Sequence, residues 1–261
     1  MNGVATVAGQ LNGRKLLVPF FTAGFPDMKT SLELVRAATD SGADIVELGM
    51  PFSDPMADGP EIQYSSKVAL DGGTSIRVIL KAVSGLRRRC DVPLVLMGYY
   101  NPVIAFGESK FLNASRRAGV DGLIIPDLPL SEAGPVSAAA EKQDLSMIFL
   151  VAPTSTRERI RQIDLASTDL VYAVTVAGVT GVGKHFPRDT DRYLLQLRRN
   201  LSKPFVAGFG VSSPQTARRL SRYADGVVIG SALVRLIRES RNRRETVTRV
   251  SRFLESVRKA L

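Results

Sequence analysis

The sequence is poor in the residues that build metal centres and covalent scaffolds: one cysteine and one histidine occur among 261 residues. Cys90 alone cannot close an internal disulfide, which excludes a disulfide-stapled scaffold and fits a reducing compartment. With His185 as the only histidine, no His/Cys cluster for zinc and no Ser-His-Asp arrangement at one end can be written. Long apolar runs are missing too. A stretch such as Leu145 to Ala152 has the length of a strand, whereas a membrane span needs about 20 residues. The first residues, MNGVATVAGQLNGRKLL, lack the basic segment, apolar core and cleavage site of an export signal. No P-loop and no G-x-G-x-x-G occurs. A cytoplasmic protein without metal is expected.

What is present reads as an ordinary globular chain, 44% hydrophobic and 23% charged. At this length folding buries roughly three quarters of the unfolded surface, enough for a large core. The net charge is +10, and nine Arg or Lys against three Glu lie between Arg235 and Leu261. That segment reads as one amphipathic helix, with Leu236, Val250, Leu254 and Val257 among its apolar positions. Its basic face carries no aromatics for stacking on bases, so a solvated face is the expectation over an RNA-binding one.

β-rich runs recur at Leu16–Thr22, Asp44–Met50, Val92–Tyr99, Gly122–Pro126, Ser146–Ala152, Leu170–Val176, Pro204–Gly208 and Gly226–Ile229. Between them lie helical segments such as Thr30–Ser41, Lys110–Ala118, Ser131–Lys142, Thr156–Ala166 and Pro214–Tyr223. The strands are continuous apolar runs, as in a parallel sheet covered on both faces. Eight strand–helix repeats without a linker predict a single α/β domain over residues 1–261, a (β/α)8 TIM barrel. A doubly wound open sheet is the alternative, but its Gly-rich first turn is absent from LVPFFTAGFP.

In a barrel, chemistry sits at the C-terminal ends of the strands. After the seventh run the chain reads AGFGVSSP, and after the eighth VVIGSALV opens a helix. These glycines and that helix N-terminus suit a phosphate, or simply make tight turns. Glu47, in the apolar run DIVELGM, points to a desolvated proton carrier or to a structural carboxylate. Asp58 follows in PFSDPMADGP, a Pro-rich loop at the same face, and the two carboxylates form a plausible acid/base pair.

The segments VPFFTAGFP from Val18, GADIVELGMPFSDPMADGPEIQ, GVDGLIIPDLP, AGVTG, GFGVSSP and IGSALV occur in order over nearly the whole chain. Together they resemble the α subunit of tryptophan synthase. The resemblance implies a (β/α)8 barrel that cleaves indole-3-glycerol phosphate to indole and glyceraldehyde 3-phosphate. It implies Glu47 and Asp58 as the catalytic pair and Gly181, Gly210, Gly230 and Ser231 as the phosphate-binding positions. Phe20, Tyr99, Tyr172 and Phe209 match the indole pocket, and Asp54 matches a segment facing the partner. That partner is the tryptophan synthase β subunit in an α2β2 heterotetramer, and it carries pyridoxal phosphate; no cofactor is expected in this chain. One position departs: Val176 stands where many members have Arg. Three alternatives are a stand-alone indole-releasing lyase, another phosphate-binding barrel enzyme, which would need a catalytic Lys or His on a strand, and a basic non-catalytic RNA-binding protein.

Overall fold

The computed structural model describes residues 2–175, 189–208 and 210–261. Nine strand segments make one all-parallel sheet: β1 (Leu16–Thr22), β2 (Val46–Gly49), β3 (Leu94–Met97), β4 (Gly122–Ile124), β5 (Ser146–Met147), β6 (Leu150–Val151), β7 (Val171–Val174), β8 (Phe205–Gly208) and β9 (Gly226–Ile229). The order is β5-β4-β3-β2-β1-β9-β8-β7-β6. Its two ends are consecutive in the chain. The Ile148 N–H donates to the Leu123 carbonyl on one side (3.0 Å), and the Tyr172 N–H donates to the Phe149 carbonyl on the other (3.0 Å). Residues 146–151 are therefore one stave with a break in its middle, and the sheet closes into an eight-staved barrel. Closure leaves no sheet edge for another chain to pair with. β2, β3 and β4 are shorter than their sequence runs, because at 44–45, 92–93, 98–99 and 125–126 the chain leaves the sheet.

The described helices, in order, are α1 (Gly3–Gly9), α2 (Met28–Asp40), α3 (Pro60–Asp71), α4 (Ile76–Arg87), α5 (Tyr100–Phe106), α6 (Glu108–Ala118), α7 (Leu130–Glu141), α8 (Arg157–Ala166), α9 (Thr190–Asn200), α10 (Pro214–Ser221), α11 (Ser231–Arg238) and α12 (Arg243–Arg258). Two start signals moved. The segment read from Thr30 starts earlier, capped by Asp27, which accepts the Thr30 N–H, and the one read from Ser131 starts at Leu130 behind Pro129. An Asp side chain accepts from the first turn at least as well as Ser or Thr, so the α2 cap falls three residues before Thr30. The basic C-terminal segment is two helices, because Asn242 caps a new start by accepting the Glu245 N–H at 3.0 Å.

The N-terminal pole of the barrel is plugged. Asn2 caps α1, Ser146 Oγ donates to Asn2 Oδ1 (3.1 Å), and the Gly3 N–H donates to Asp121 Oδ1 (2.9 Å). Arg87 reaches the Gly119 carbonyl (2.6 Å) and pairs with Asp121, which also accepts the Leu94 N–H, tying β3 and β4 at this pole. Cys90 lies buried beside it. The basic C-terminal helices are docked on the barrel wall. Arg258 pairs with Asp44 at 2.9 Å, Arg243 with Glu33 at 3.1 Å, and Arg238 stacks over Tyr64. The other ends of the staves form the C-terminal pole.

Candidate active site

Glu47 on β2 stands beside Phe20 of β1 in register. It is 3% exposed, and Oε2 has no hydrogen-bond partner among the described residues. Its charge acts on Tyr172 of β7, a stave on the far side of the barrel, so the Glu47 carboxyl faces the lumen. Burial alone pushes its pKa from 4.5 to about 8, because water that would solvate the anion is gone. At neutral pH this carboxyl keeps its proton.

Asp58 arrives from the loop after β2. Two backbone contacts shape that loop: the Met56 N–H donates to the Asp54 carbonyl at 3.0 Å, and the Asp58 N–H to the Pro55 carbonyl at 3.1 Å. Gln63 of α3 then donates to the Asp58 carbonyl at 2.8 Å. The Asp58 carboxyl is half-buried, and burial lifts its pKa to about 6, with the Tyr99 hydroxyl holding it down. Its charge also reaches Tyr172. Two carboxyls therefore share one mouth, one protonated and one ionised at pH 7.

Three of the four aromatics read for a pocket line this mouth. Phe20, Tyr99 and Tyr172 are all buried there. Phe209 and Gly181 lie outside the described residues, as do Val176, Lys184 and His185. Two glycines make room for the rings. A Cβ on Gly49 would fall 2.4 Å from Phe20 Cζ, and one on Gly208 would fall 2.1 Å from the Tyr172 hydroxyl. Both end a stave, and both stood in the sequence as stave-end glycines, but nothing there showed which ring needs the space.

Gly210 has φ +81°, a backbone that side chains rarely adopt. Gly230 precedes α11, and no side chain caps that helix; α10, in contrast, is capped by Ser213, which accepts the Thr216 N–H at 3.2 Å. The Leu233 and Val234 N–H groups donate to the Gly230 carbonyl at 2.8 and 3.1 Å, while the Ser231 N–H has no partner among the described residues, an arrangement that suits an anion. Gly230 lies against Phe20, its would-be Cβ 3.5 Å from the ring, so this helix start borders the pocket that holds Glu47. Asp54 is exposed at the rim, beside Met56, which is 82% exposed. Among the described residues no group of three or more His, Cys, Asp or Glu is gathered to hold a metal.

The tryptophan synthase alpha chain family model matches residues 8–261. The chain belongs to that family. It is 46% identical over 249 residues to the tryptophan synthase alpha chain of Caldanaerobacter subterraneus subsp. tengcongensis, covering 95% of each. It is 45% identical over 263 residues to that of Pelobacter propionicus, covering 100% of this chain and 98% of the relative. Among solved structures it is similar to tryptophan synthase subunit alpha from Legionella pneumophila, with TM-score 0.92, 33% identity and coverage of 100% and 98%. A chain of the tryptophan synthase a2b2 complex from Pyrococcus furiosus matches with TM-score 0.86, 37% identity and coverage of 93% and 97%. As a tryptophan synthase alpha chain family member, the protein is a lyase of tryptophan biosynthesis with the barrel fold of these relatives.

Proposed function

We propose that the chain cleaves indole-3-glycerol phosphate to indole and D-glyceraldehyde 3-phosphate, with Glu47 and Asp58 as its catalytic groups. The observation that carries this reading is their pairing at one mouth with proton affinities set apart, about 8 for Glu47 and about 6 for Asp58. Glu47 gives its proton to C3 of the indole, which turns the ring into a cationic indolenine. Asp58, ionised, accepts the indole N–H and stabilises the positive charge forming there. The Glu47 carboxylate then takes the proton of the hydroxyl on the carbon attached to C3. That carbon becomes the aldehyde, the carbon–carbon bond breaks, and its electrons return to the ring. Glu47 ends protonated again, so the cycle balances.

Phe20, Tyr99 and Tyr172 enclose the indole, with Phe209 assigned to the same pocket. The phosphate is held by backbone N–H groups at Gly210, Gly230 and Ser231, together with Gly181. The indole ring is its own electron sink, so this chain is assigned no cofactor. Pyridoxal phosphate is assigned to the partner, a tryptophan synthase β subunit in an α2β2 assembly in the cytoplasm. The a2b2 complex of the Pyrococcus furiosus relative supports that partner, and the exposed Asp54 and Met56 at the rim suit the contact. Residues 1–261 act as one barrel domain.

The decisive test is release of indole from indole-3-glycerol phosphate by the purified chain, alone and with a matching β subunit. Turnover that rises on adding the β subunit supports the reading. Absence of indole release in both conditions, from folded protein, refutes it.

A further inference from the structure

Tyr99 does more at this site than present a ring. It follows β3 directly, is buried, and packs its ring on Phe52 of the loop after β2 at 5.4 Å. Its hydroxyl accepts the Ala57 N–H at 2.9 Å. A phenol has one proton to give, and with its oxygen already accepting from Ala57 that proton is free for a neighbour. The neighbour is the carboxyl of Asp58, the next residue along. We propose that Tyr99 is the positioning residue of the lyase: its hydroxyl clamps the Ala57–Asp58 backbone to the barrel wall and donates to the Asp58 carboxylate, fixing where that negative charge stands and keeping it ionised. The proposal rests on the assignment of Asp58 as the group that accepts the indole N–H.

The groups around Asp58 allow Tyr99 this role. Glu47 of β2 is itself a carboxyl that holds its proton near neutrality. Tyr172 of β7 feels both carboxylates and, fully buried, stays a neutral phenol. Asp127, after β4, faces Tyr99 and accepts the Tyr100 N–H at 2.8 Å; its charge makes the Tyr99 hydroxyl still harder to ionise. Among the described residues, Tyr99 is the one group that counters the burial of Asp58.

Tyr99→Phe keeps the ring and deletes the hydroxyl. In steady-state assays of indole release with the β subunit present, the acid limb of kcat/KM, set by Asp58, is expected to move up by about one pH unit. With the limb moved from about 6 to about 7, the rate falls about twofold at pH 7 and about tenfold near pH 5, in kcat rather than KM. Site-specific 3-fluorotyrosine at position 99, a stronger donor of the same shape, should move the acid limb down, and it carries the test if Tyr99→Phe fails to fold. An acid limb that stays in place in both variants overturns the proposal, whether or not the rate falls uniformly. Asp58→Asn run in parallel separates the two assignments. A loss of a hundredfold or more there, with the Tyr99 variants unmoved, sinks only the role of Tyr99. Parent-like turnover of Asp58→Asn removes Asp58 from the mechanism and this proposal with it.

Discussion

Replacing Glu47 by Gln is expected to stabilise the protein and to stop it working. The carboxyl is 3% exposed and burial raises its pKa from 4.5 to about 8. Between those two values the folded protein holds a proton that the unfolded chain has released. Stability therefore falls as pH rises through this window, by about 1.4 kcal/mol per pH unit. The loss reaches about 3 kcal/mol at pH 7 and about 4 kcal/mol at pH 8, and levels off at about 5 kcal/mol above that. Gln has nothing to ionise, so it escapes this cost. Its amide brings one more N–H to a site where Oε2 already lacks a partner among the described residues, a cost that is the same at every pH and so leaves the pH-dependent difference intact. Urea unfolding of both proteins from pH 4.5 to 8.5 isolates the effect, because Asp58 and every other group contribute equally to both curves. The difference should grow in favour of Glu47→Gln by about 3 kcal/mol between pH 4.5 and 7, or roughly 6 to 12 °C in Tm for a chain of this size. In the same protein kcat should drop by about 10²–10⁴-fold, the share of one positioned proton carrier. Stability curves that run parallel with pH would refute the burial argument. A kcat within tenfold of the parent would refute the catalytic one.

Other substitutions probe the rest of the mouth. Gly49→Ala puts a methyl 2.4 Å from Phe20 Cζ; a loss of about 1–3 kcal/mol is expected by thermal unfolding, partly restored by adding Phe20→Leu. Gly210→Val forces a branched side chain onto a backbone at φ +81° and should raise KM for the phosphorylated substrate several-fold, with inorganic phosphate weakened in parallel as a competitor. Asp54→Ala, at the exposed rim, should blunt the rise in indole release on adding β subunit, read as the ratio of rates with and without it.

The barrel was legible because its strands are buried on both faces and so read as unbroken apolar runs, such as LLVPFFT in β1, where every residue is buried. Glu47 stood out for the same reason, as a carboxyl flanked on both sides by the apolar residues Ile45, Val46 and Leu48. Local hydrogen-bond competition was harder to see. Whether Asp27 or Thr30 caps α2 depends on which side chain meets a free N–H, and Thr30 in fact donates to Asp27 from its hydroxyl as well as its backbone. The break between α11 and α12 hid behind an apolar stripe that runs on through it. Arg87 was illegible as a structural residue, because its partners Gly119 and Asp121 lie about thirty positions away in sequence. The clamp from Tyr99 to Ala57 is of that kind too, an aromatic just past the end of one stave and a backbone donor in the loop after another.

The two carboxyls separate because the chain delivers them differently. Glu47 is part of a stave, so its position is fixed by the sheet and it cannot turn toward water; burial alone decides its proton affinity. Asp58 comes from a loop and meets a phenol donor, so its anion is both less desolvated and better supported. A second strand carboxyl in place of Asp58 would have been pushed up alongside Glu47, and no ionised group would remain at pH 7 to face the indole nitrogen. The Pro-rich loop thus performs what a barrel strand could not, and it is also the loop that carries Asp54 and Met56 to the rim. In the proposed assembly, a partner pressing on that rim would act on Asp58 through four residues or fewer of chain, while Glu47, held in the sheet, would stay where it is.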